Sequence, residues 1–483
     1  MRISVGIEIS DLGFMAAVKR GDNAPELLRP QGQTSWPAFV AWNGHGFVLG
    51  REAEQRSRLQ PRWTSHTFWE HLSLSPSELS GLPRTPVQSE LAYLFLKAFW
   101  EALLADGLAP DAVALALPGQ FLPPQDADNL RIGLILGMAR DLKWPLAALG
   151  GLSTTALFDQ GWPQPAPPSL LYLDIHLHSA AMTLLQIDPD GTLSRRQHVR
   201  LPRLGYVPMM QSLTRAMGNR FLRATAFDVT SLRPIDQAFY DQTRHQLLEA
   251  ETNTDCRYSF EANGRIHQAA FPREVLLRDL RPLEEGWADA AAKFLRDAQV
   301  DPSEVLTVFS NRTRILPALA DAFEAHGLRR VLRLPPGAAA RGAATLAAER
   351  PVSTDLGSVP IVHRVPARTQ LEPHLEVVHL RSESTAASPA PTHLVVDGLA
   401  YPLTSLPEML HAQPNGVPSP IPALRRLGTL DLRLHRDGPR WSLTPSDSPT
   451  GAIPLATGDR IHLRARGQQV ELLLAAECQP GQT

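Results

Sequence analysis

The sequence predicts a mixed α/β fold followed by a small all-β domain, on three observations. Up to about residue 350, buried strands and tight turns alternate with amphipathic helices. Between 351 and 392 the chain becomes proline-bearing and then small and polar (SESTAASPAPT, Ser382–Thr392), which is the composition of a linker. From His393 to about 480 it shows short strands broken by Asp-Gly and Gly-Gln turns, the pattern of a β-sandwich, with a hint of helix at Leu406–His411.

In order, the first hairpin runs Arg2–Ile9, turns at Ser10-Asp11-Leu12-Gly13 and returns as Phe14–Val18. Gln88–Asp106 spaces its apolar residues at three and four, as an amphipathic helix does, and Ala112–Leu117 is a buried strand. A helix is expected from Gln125 to Leu142, then Gly150–Leu157 and a proline-rich connection, Gln160–Pro168. The second hairpin, Leu170–Gln186, enters Asp174, reverses, and ends at the turn Asp188–Gly191. Helices follow at Met209–Phe221 and Pro234–Ala250, with a hairpin around Asn263-Gly264 and a helix opening at Arg273. A strand to Val308, a helix Leu316–His326 and a closing helix of about 336–350 complete this part.

Composition narrows the function classes. A chain of 483 residues, 43% apolar and with 43 prolines, is long enough for two or three domains. Its formal charge of −2, without a basic block, argues against non-specific binding to nucleic acid or acidic membrane. Two cysteines make neither a disulfide framework nor a zinc cluster, and no charged leader with an apolar h-region opens the sequence. A cytoplasmic location is the expectation. Walker, Rossmann, HExxH and GxSxG motifs are absent from the sequence.

An acidic residue at the end of a buried strand, followed by a reversal, frames a phosphate or Mg²⁺ site. Asp174 stands there and reads equally as a Mg²⁺ ligand or as the cap of the turn. Close approach of a phosphate to the backbone wants glycine, and Ile175-His176-Leu177-His178-Ser179 has none. His176 and His178, two apart, would share a face and bind a transition metal together with Glu8 or Asp174, or else fill a closed cleft. No third ligand is fixed by spacing. Asn311-Arg312-Thr313 is a formal glycosylation sequon without consequence in a cytoplasmic protein.

The ordered set of segments resembles the actin-like (ribonuclease H-like) ATPases, in particular the nucleotide-binding domain of the seventy-kilodalton heat-shock chaperones, over residues 1 to about 350. Scaffold stretches at Thr34–Trp42, Phe47–Ala53, Pro118–Phe121 and Leu334–Ala344 carry the likeness beside the two hairpins. It implies a lobe of about 1–160, a second of about 170–330, and a nucleotide cleft between them. For the family's Gly-Ile-Asp-Leu-Gly-Thr-Thr this chain has Gly6-Ile7-Glu8-Ile9-Ser10-Asp11-Leu12; Asp11 would repel a triphosphate. The second phosphate loop, Asp-Leu-Gly-Gly-Gly-Thr in the family, is Asp174 to Ser179. The catalytic lysine falls at Trp69 and the γ-phosphate glutamate at Gly151, while a leu-gly-gly turn is half kept at Leu204-Gly205. The adenosine-binding glu-x-x-lys falls at Asp241-x-x-Arg244. In the place of gly-gly-x-thr-arg stand Phe309 and Ser310, with Arg314 retained, and Phe309 is expected to fill the adenine wall.

The resemblance thus implies a remnant cleft made of Ser10, Asp11, Leu12, Trp69, Asp174, His176, His178, Ser179, Gly205, Asp241, Arg244, Phe309, Ser310 and Arg314, with Glu8 and Asp174 as remnants of the catalytic acids. Near the C-terminus, Arg436-Asp437-Gly438 with Trp441 and Leu443, then Leu455, Gly458-Asp459, Ile461 and Leu463, is similar to the end of a forkhead-associated domain. The expectation is a non-catalytic, chaperone-like scaffold or adaptor that meets a protein partner through the C-terminal β domain or the lobe surface. It would use no cofactor, with ATP and Mg²⁺ entering only if the cleft is open, and no nucleic acid or membrane. The competing expectation is an ATP-dependent chaperone with unusual loops.

Overall fold

The computed structural model describes residues 1–105, 107–122, 129–161, 167–249, 255–355, 359–366, 376–380, 391–396, 399–406, 409–411, 421, 431–437, 440–445, 453–465 and 468–476. The chain divides into two units, Met1–Thr369 and Gln370–Thr483. It is a mixed α/β structure with several sheets.

Two six-stranded sheets organise the first unit. The first places its strands in the order Ile361–Val362, Leu146–Gly151, Ala112–Leu117, Ile3–Glu8, Met15–Arg20, Glu26–Leu27. The second has the order Arg330–Arg333, Val305–Phe309, Ser169–Ile175, Ser179–Ile187, Thr192–Pro202, Arg364–Pro366. In each, an antiparallel hairpin is extended by parallel strands on the side of its first strand. Parallel strands are covered on both faces, so they read as unbroken apolar runs such as AVALAL, all six of whose residues are buried.

Small residues let the helix Ala338–Glu349 lie on the first sheet. A Cβ on Gly6 would stand 2.0 Å from the Ala340 carbonyl oxygen, so any side chain there would push strand and helix apart.

The helices begin where local chemistry allows. Asn129 caps Leu130–Asp141 by accepting from the N–H groups of Arg131 (3.0 Å) and Ile132 (3.4 Å). The expected start at Gln125 lies outside the described residues. The hairpin Asp255–Ala262 with Arg265–Pro272 turns at Asn263 and Gly264, both with positive φ. The helix expected from Leu316 begins at Leu319, because Leu316 precedes a proline and takes a non-helical conformation (φ −117°, ψ 79°).

The stretch expected as a linker contains paired strands. Ile361–Val362 runs parallel to Leu146–Gly151 and Arg364–Pro366 runs antiparallel to Thr192–Pro202, so residues 361–366 add an edge strand to both sheets. Residues 381–390 of the expected linker lie outside the described residues.

Among the described residues, the second unit is built of strands and one short 3₁₀ turn. A five-stranded sheet (Glu376–Leu380, Arg460–Ala465, Gln468–Ala475, His393–Val396, Leu399–Pro402) and a four-stranded one (Met409–His411, Asp431–Asp437, Arg440–Pro445, Ile453–Leu455) share one apolar core. Alternation supplies that core: Leu432 and Leu434, Ile461 and Leu463, Val470, Leu472 and Leu474 all point inward. The helix hinted at Leu406–His411 is not formed where it is described. Met409–His411 is a strand paired with Asp431–Arg433, cross-strand hydrogen bonding having overridden a six-residue apolar pattern too short to define a helix.

Candidate functional site

The two hairpins bring Glu8 and Asp174 to the same place, 3% and 1% exposed. Two carboxylates buried together need a cation. Arg312 supplies it, from the short turn Asn311–Ile315 that follows the strand Val305–Phe309. Its Nη1 donates to both oxygens of Asp174 (3.2 and 3.1 Å), and its Nη2 donates to Glu8 Oε1. Ser310 Oγ (2.6 Å) and the Ile175 N–H (3.0 Å) also donate to Asp174 Oδ1, and the Ala340 N–H donates to Glu8 Oε2 at 3.3 Å. Burial lowers the guanidinium pKa, but the charges of Glu8 and Asp174 outweigh it and raise the pKa overall.

The turns themselves are occupied by side chains. Asp11 Oδ1 accepts from the Leu177 N–H at 3.0 Å, tying the first turn to the second and engaging a backbone donor of that turn. His176 Nδ1 lies 3.4 Å from Asp11 Oδ1, an ion-pair distance without hydrogen-bond alignment, and its Nε2 lies 4.0 Å from Asp174 Oδ2. Burial works against the charged imidazole, but Asp11 and Asp174 raise the His176 pKa overall. Conversely, burial would raise Asp11, but His176 and the Leu177 N–H hold it below the usual carboxylate range.

His178 goes elsewhere: its ring stacks on His66 (centroids 4.9 Å apart), with Nε2 3.0 Å from His66 Nδ1. Burial, then the neighbouring His178, push the His66 pKa down to about 4. The shared-face metal pair is therefore corrected, since His176 and His178 take different partners. Among the described residues no group of three His, Cys, Asp or Glu is placed to hold a metal ion.

Gly205 is needed where it stands. A Cβ there would lie 2.3 Å from both the His178 carbonyl carbon and the Ser179 nitrogen. The helix Tyr206–Thr225 can thus start directly on the turn, its Tyr206 and Val207 N–H groups donating to the carbonyls of His176 (2.9 Å) and Leu177 (2.7 Å). Ser179 Oγ accepts from Arg200 Nε at 3.1 Å, and Arg200 also pairs with Glu70. Ser10 is fully buried; its carbonyl accepts from the Gly13 N–H at 3.0 Å.

A cleft of about 730 Å³ remains beside this cluster, lined among others by Leu12, Leu177, Tyr206, Arg244, Arg312 and Arg314. Open space therefore remains beside the two turns. Arg244 lies 3.3 Å from Glu54, which also pairs with Arg51 at 2.7 Å. Asp241 accepts from Gln237 (3.3 Å), and burial raises its pKa.

Two expected cleft residues sit in cores instead. Trp69, 2% exposed, packs against Phe14 and Phe68. Phe309, 0% exposed, meets Phe323 edge-on at 5.3 Å and carries Arg333 over its ring, so it fills the second sheet's core rather than an adenine wall. Both are large apolar rings next to buried strands, where area burial decides their place.

Arg312, rather than the expected Arg314, is the arginine paired with Glu8 and Asp174. The available signal was a charge inside an otherwise apolar strand-to-turn passage, VLTVFSNR, since arginine is almost never fully buried without a partner. Also outside the sequence expectations are the bonds that join the 57–59 segment to the helix Arg233–Leu248. Arg58 Nη1 donates to Asp236 at 2.9 Å, the Arg58 N–H donates to Gln237 Oε1 at 2.8 Å, and Arg233 donates to the Leu59 carbonyl at 3.4 Å. No protein-family model matches the chain, and no curated protein matches it.

Proposed function

We propose that the first unit is a two-lobed, actin-like fold of the seventy-kilodalton heat-shock chaperone type whose metal and phosphate subsites are filled by its own side chains. On this reading it acts without catalysis, as a scaffold or adaptor engaging a protein partner through the lobe surface or the C-terminal strands. The observation that carries the reading is the Arg312 guanidinium between Glu8 and Asp174, where a nucleotide-bound metal would need those carboxylates. The Asp11 carboxylate on the Leu177 N–H acts in the same sense, as a resident anion. Phosphoryl transfer depends on positioning and on charge stabilisation by metal and backbone donors. Mg·ATP would have to displace a buried, hydrogen-bonded ion network before either could act.

The two sheets, each a hairpin extended by parallel strands, support the two-lobed reading. So do the edge strands of residues 361–366, which would tie one lobe to the other and favour a rigid body. The competing reading, an ATP-dependent chaperone, is favoured by the 730 Å³ cleft, a volume within the ~300–1,000 Å³ of ligand pockets. An ATP turnover assay on the full chain, with Asp174→Asn alongside, separates the two. The proposal expects no turnover above that of Asp174→Asn; turnover abolished by that substitution would establish the chaperone reading.

A further inference from the structure

A second cavity, of about 700 Å³, lies between the 57–66 segment and the helix Tyr206–Thr225, and neither Glu8 nor Asp174 lines it. Val207, Gln211, Thr214, Gly218 and Leu222 succeed one another along this helix at steps of three and four and form one wall. The neighbouring stripe, Met210, Leu213, Met217 and Phe221, belongs to the core, and Thr214 stands at the border between the two. Thr214 is 4% exposed and its Oγ1 has no hydrogen-bond partner, which for a buried hydroxyl costs about 1–3 kcal/mol unless something else supplies one.

The charges around the cavity are unevenly used. Arg58 is held by Asp236 (2.9 and 3.2 Å) and lies 4.8 Å over the Tyr240 ring. Asp228 accepts from Thr230 N and Oγ1 at 2.9 and 2.8 Å. Arg215, exposed at the rim, has no ion-pair partner among the described residues, and the side chains of Gln211 and Asn219 flank it one turn away on either side. Phe39, Val229 and Leu222 give the remaining surface an apolar character.

We propose that this cavity binds a small organic monocarboxylate with an apolar or aromatic body. Its carboxylate meets the planar guanidinium of Arg215 in a two-point contact, its body lies against Phe39, Val229 and Leu222, and a hydroxyl on that body satisfies Thr214. A doubly charged phosphate is disfavoured, because Asp228 and Asp236 line the same space and would repel it.

The test uses the full chain in thermal melts and calorimetric titrations with 4-hydroxyphenylacetate, octanoate, the neutral 4-hydroxyphenylacetamide and inorganic phosphate. The expected result is a saturable rise in melting temperature with the acids and none with the amide. Arg215→Gln, at an exposed position, should leave the ligand-free melt unchanged and weaken binding about tenfold or more. Thr214→Val should weaken 4-hydroxyphenylacetate and spare octanoate. Arg215→Lys, which keeps the charge without the fork, should bind with intermediate affinity. The proposal is overturned if neither acid raises the melting temperature, if the rise persists unchanged in Arg215→Gln, or if phosphate alone produces it. Mg·ATP is absent throughout, so the outcome is independent of the reading of the Glu8–Asp174 cluster.

Discussion

Replacing Arg312 by methionine keeps the length of the side chain and removes its charge, leaving Glu8 and Asp174 facing each other at 3% and 1% exposure. Removing one partner of a buried ion pair costs about 3–5 kcal/mol, because the remaining charge is uncompensated. Here one cation serves two carboxylates, which points to the upper part of that range. The sign of the pH dependence follows. Without Arg312 two like charges are left together away from water, and acid weakens that repulsion. The variant's deficit should therefore be largest at neutral pH and shrink as the pH falls toward the ordinary carboxylate range. Urea unfolding of the full chain at pH 7 and pH 5, following the first unit's transition, measures both quantities. Adding Glu8→Gln and Asp174→Asn to Arg312→Met should recover most of the loss, since no buried charge remains. If Arg312→Met alone stays within about 0.5 kcal/mol of the parent at both pH values, the carboxylates are solvated and Arg312 compensates no buried charge.

Three other predictions concern the second turn and buried histidines. Gly205→Ala places a methyl group 2.3 Å from backbone atoms of the second turn and should cost about 1–3 kcal/mol in chemical unfolding; an unchanged midpoint would show that the helix does not start on the turn. His66, and His198 on the strand Thr192–Pro202 with its Nδ1 2.9 Å from Thr183 Oγ1, are each held by burial near 4 against an ordinary 6.5, which leaves the unfolded chain binding more protons between those values. Stability should accordingly be full above about pH 6.5 and fall as the pH drops toward 4, and His66→Phe should make that limb shallower. His176 acts in the opposite direction: its raised pKa contributes stability that is present below about pH 6.5 and lost as the pH rises through its folded-state value, so His176→Asn should remove a loss on the alkaline side.

What could be read from the sequence was what rests on burial period and turn chemistry. Ala112–Leu117 and Ser169–Ile175 are continuous apolar runs because parallel strands bury both faces, and Asn263-Gly264 marks its hairpin through positive φ. The acidic positions Glu8 and Asp174 were legible because each ends or nearly ends a buried strand. Arg312 was not, since nothing local to residues 309–315 says that its partners lie 304 and 138 positions away. Ile361–Val362 and Arg364–Pro366 escaped for another reason. They are two and three residues long, flank a histidine, and sit among prolines, so their strand character comes from the sheet edges they meet. Trp69 and Phe309 show the limit of position-by-position transfer: a motif's register can be kept while the side chain turns into the core.

On the proposed reading, Arg312 and Asp11 stand where a metal and a phosphate would otherwise bind. Thermal melts of the full chain with and without millimolar Mg·ATP test it most directly. A ligand at 100 times its dissociation constant stabilises the folded state by about 2.7 kcal/mol, a shift that is easily seen. No shift is expected for the parent chain; a clear, saturable rise in melting temperature that disappears in Asp174→Asn would overturn that reading.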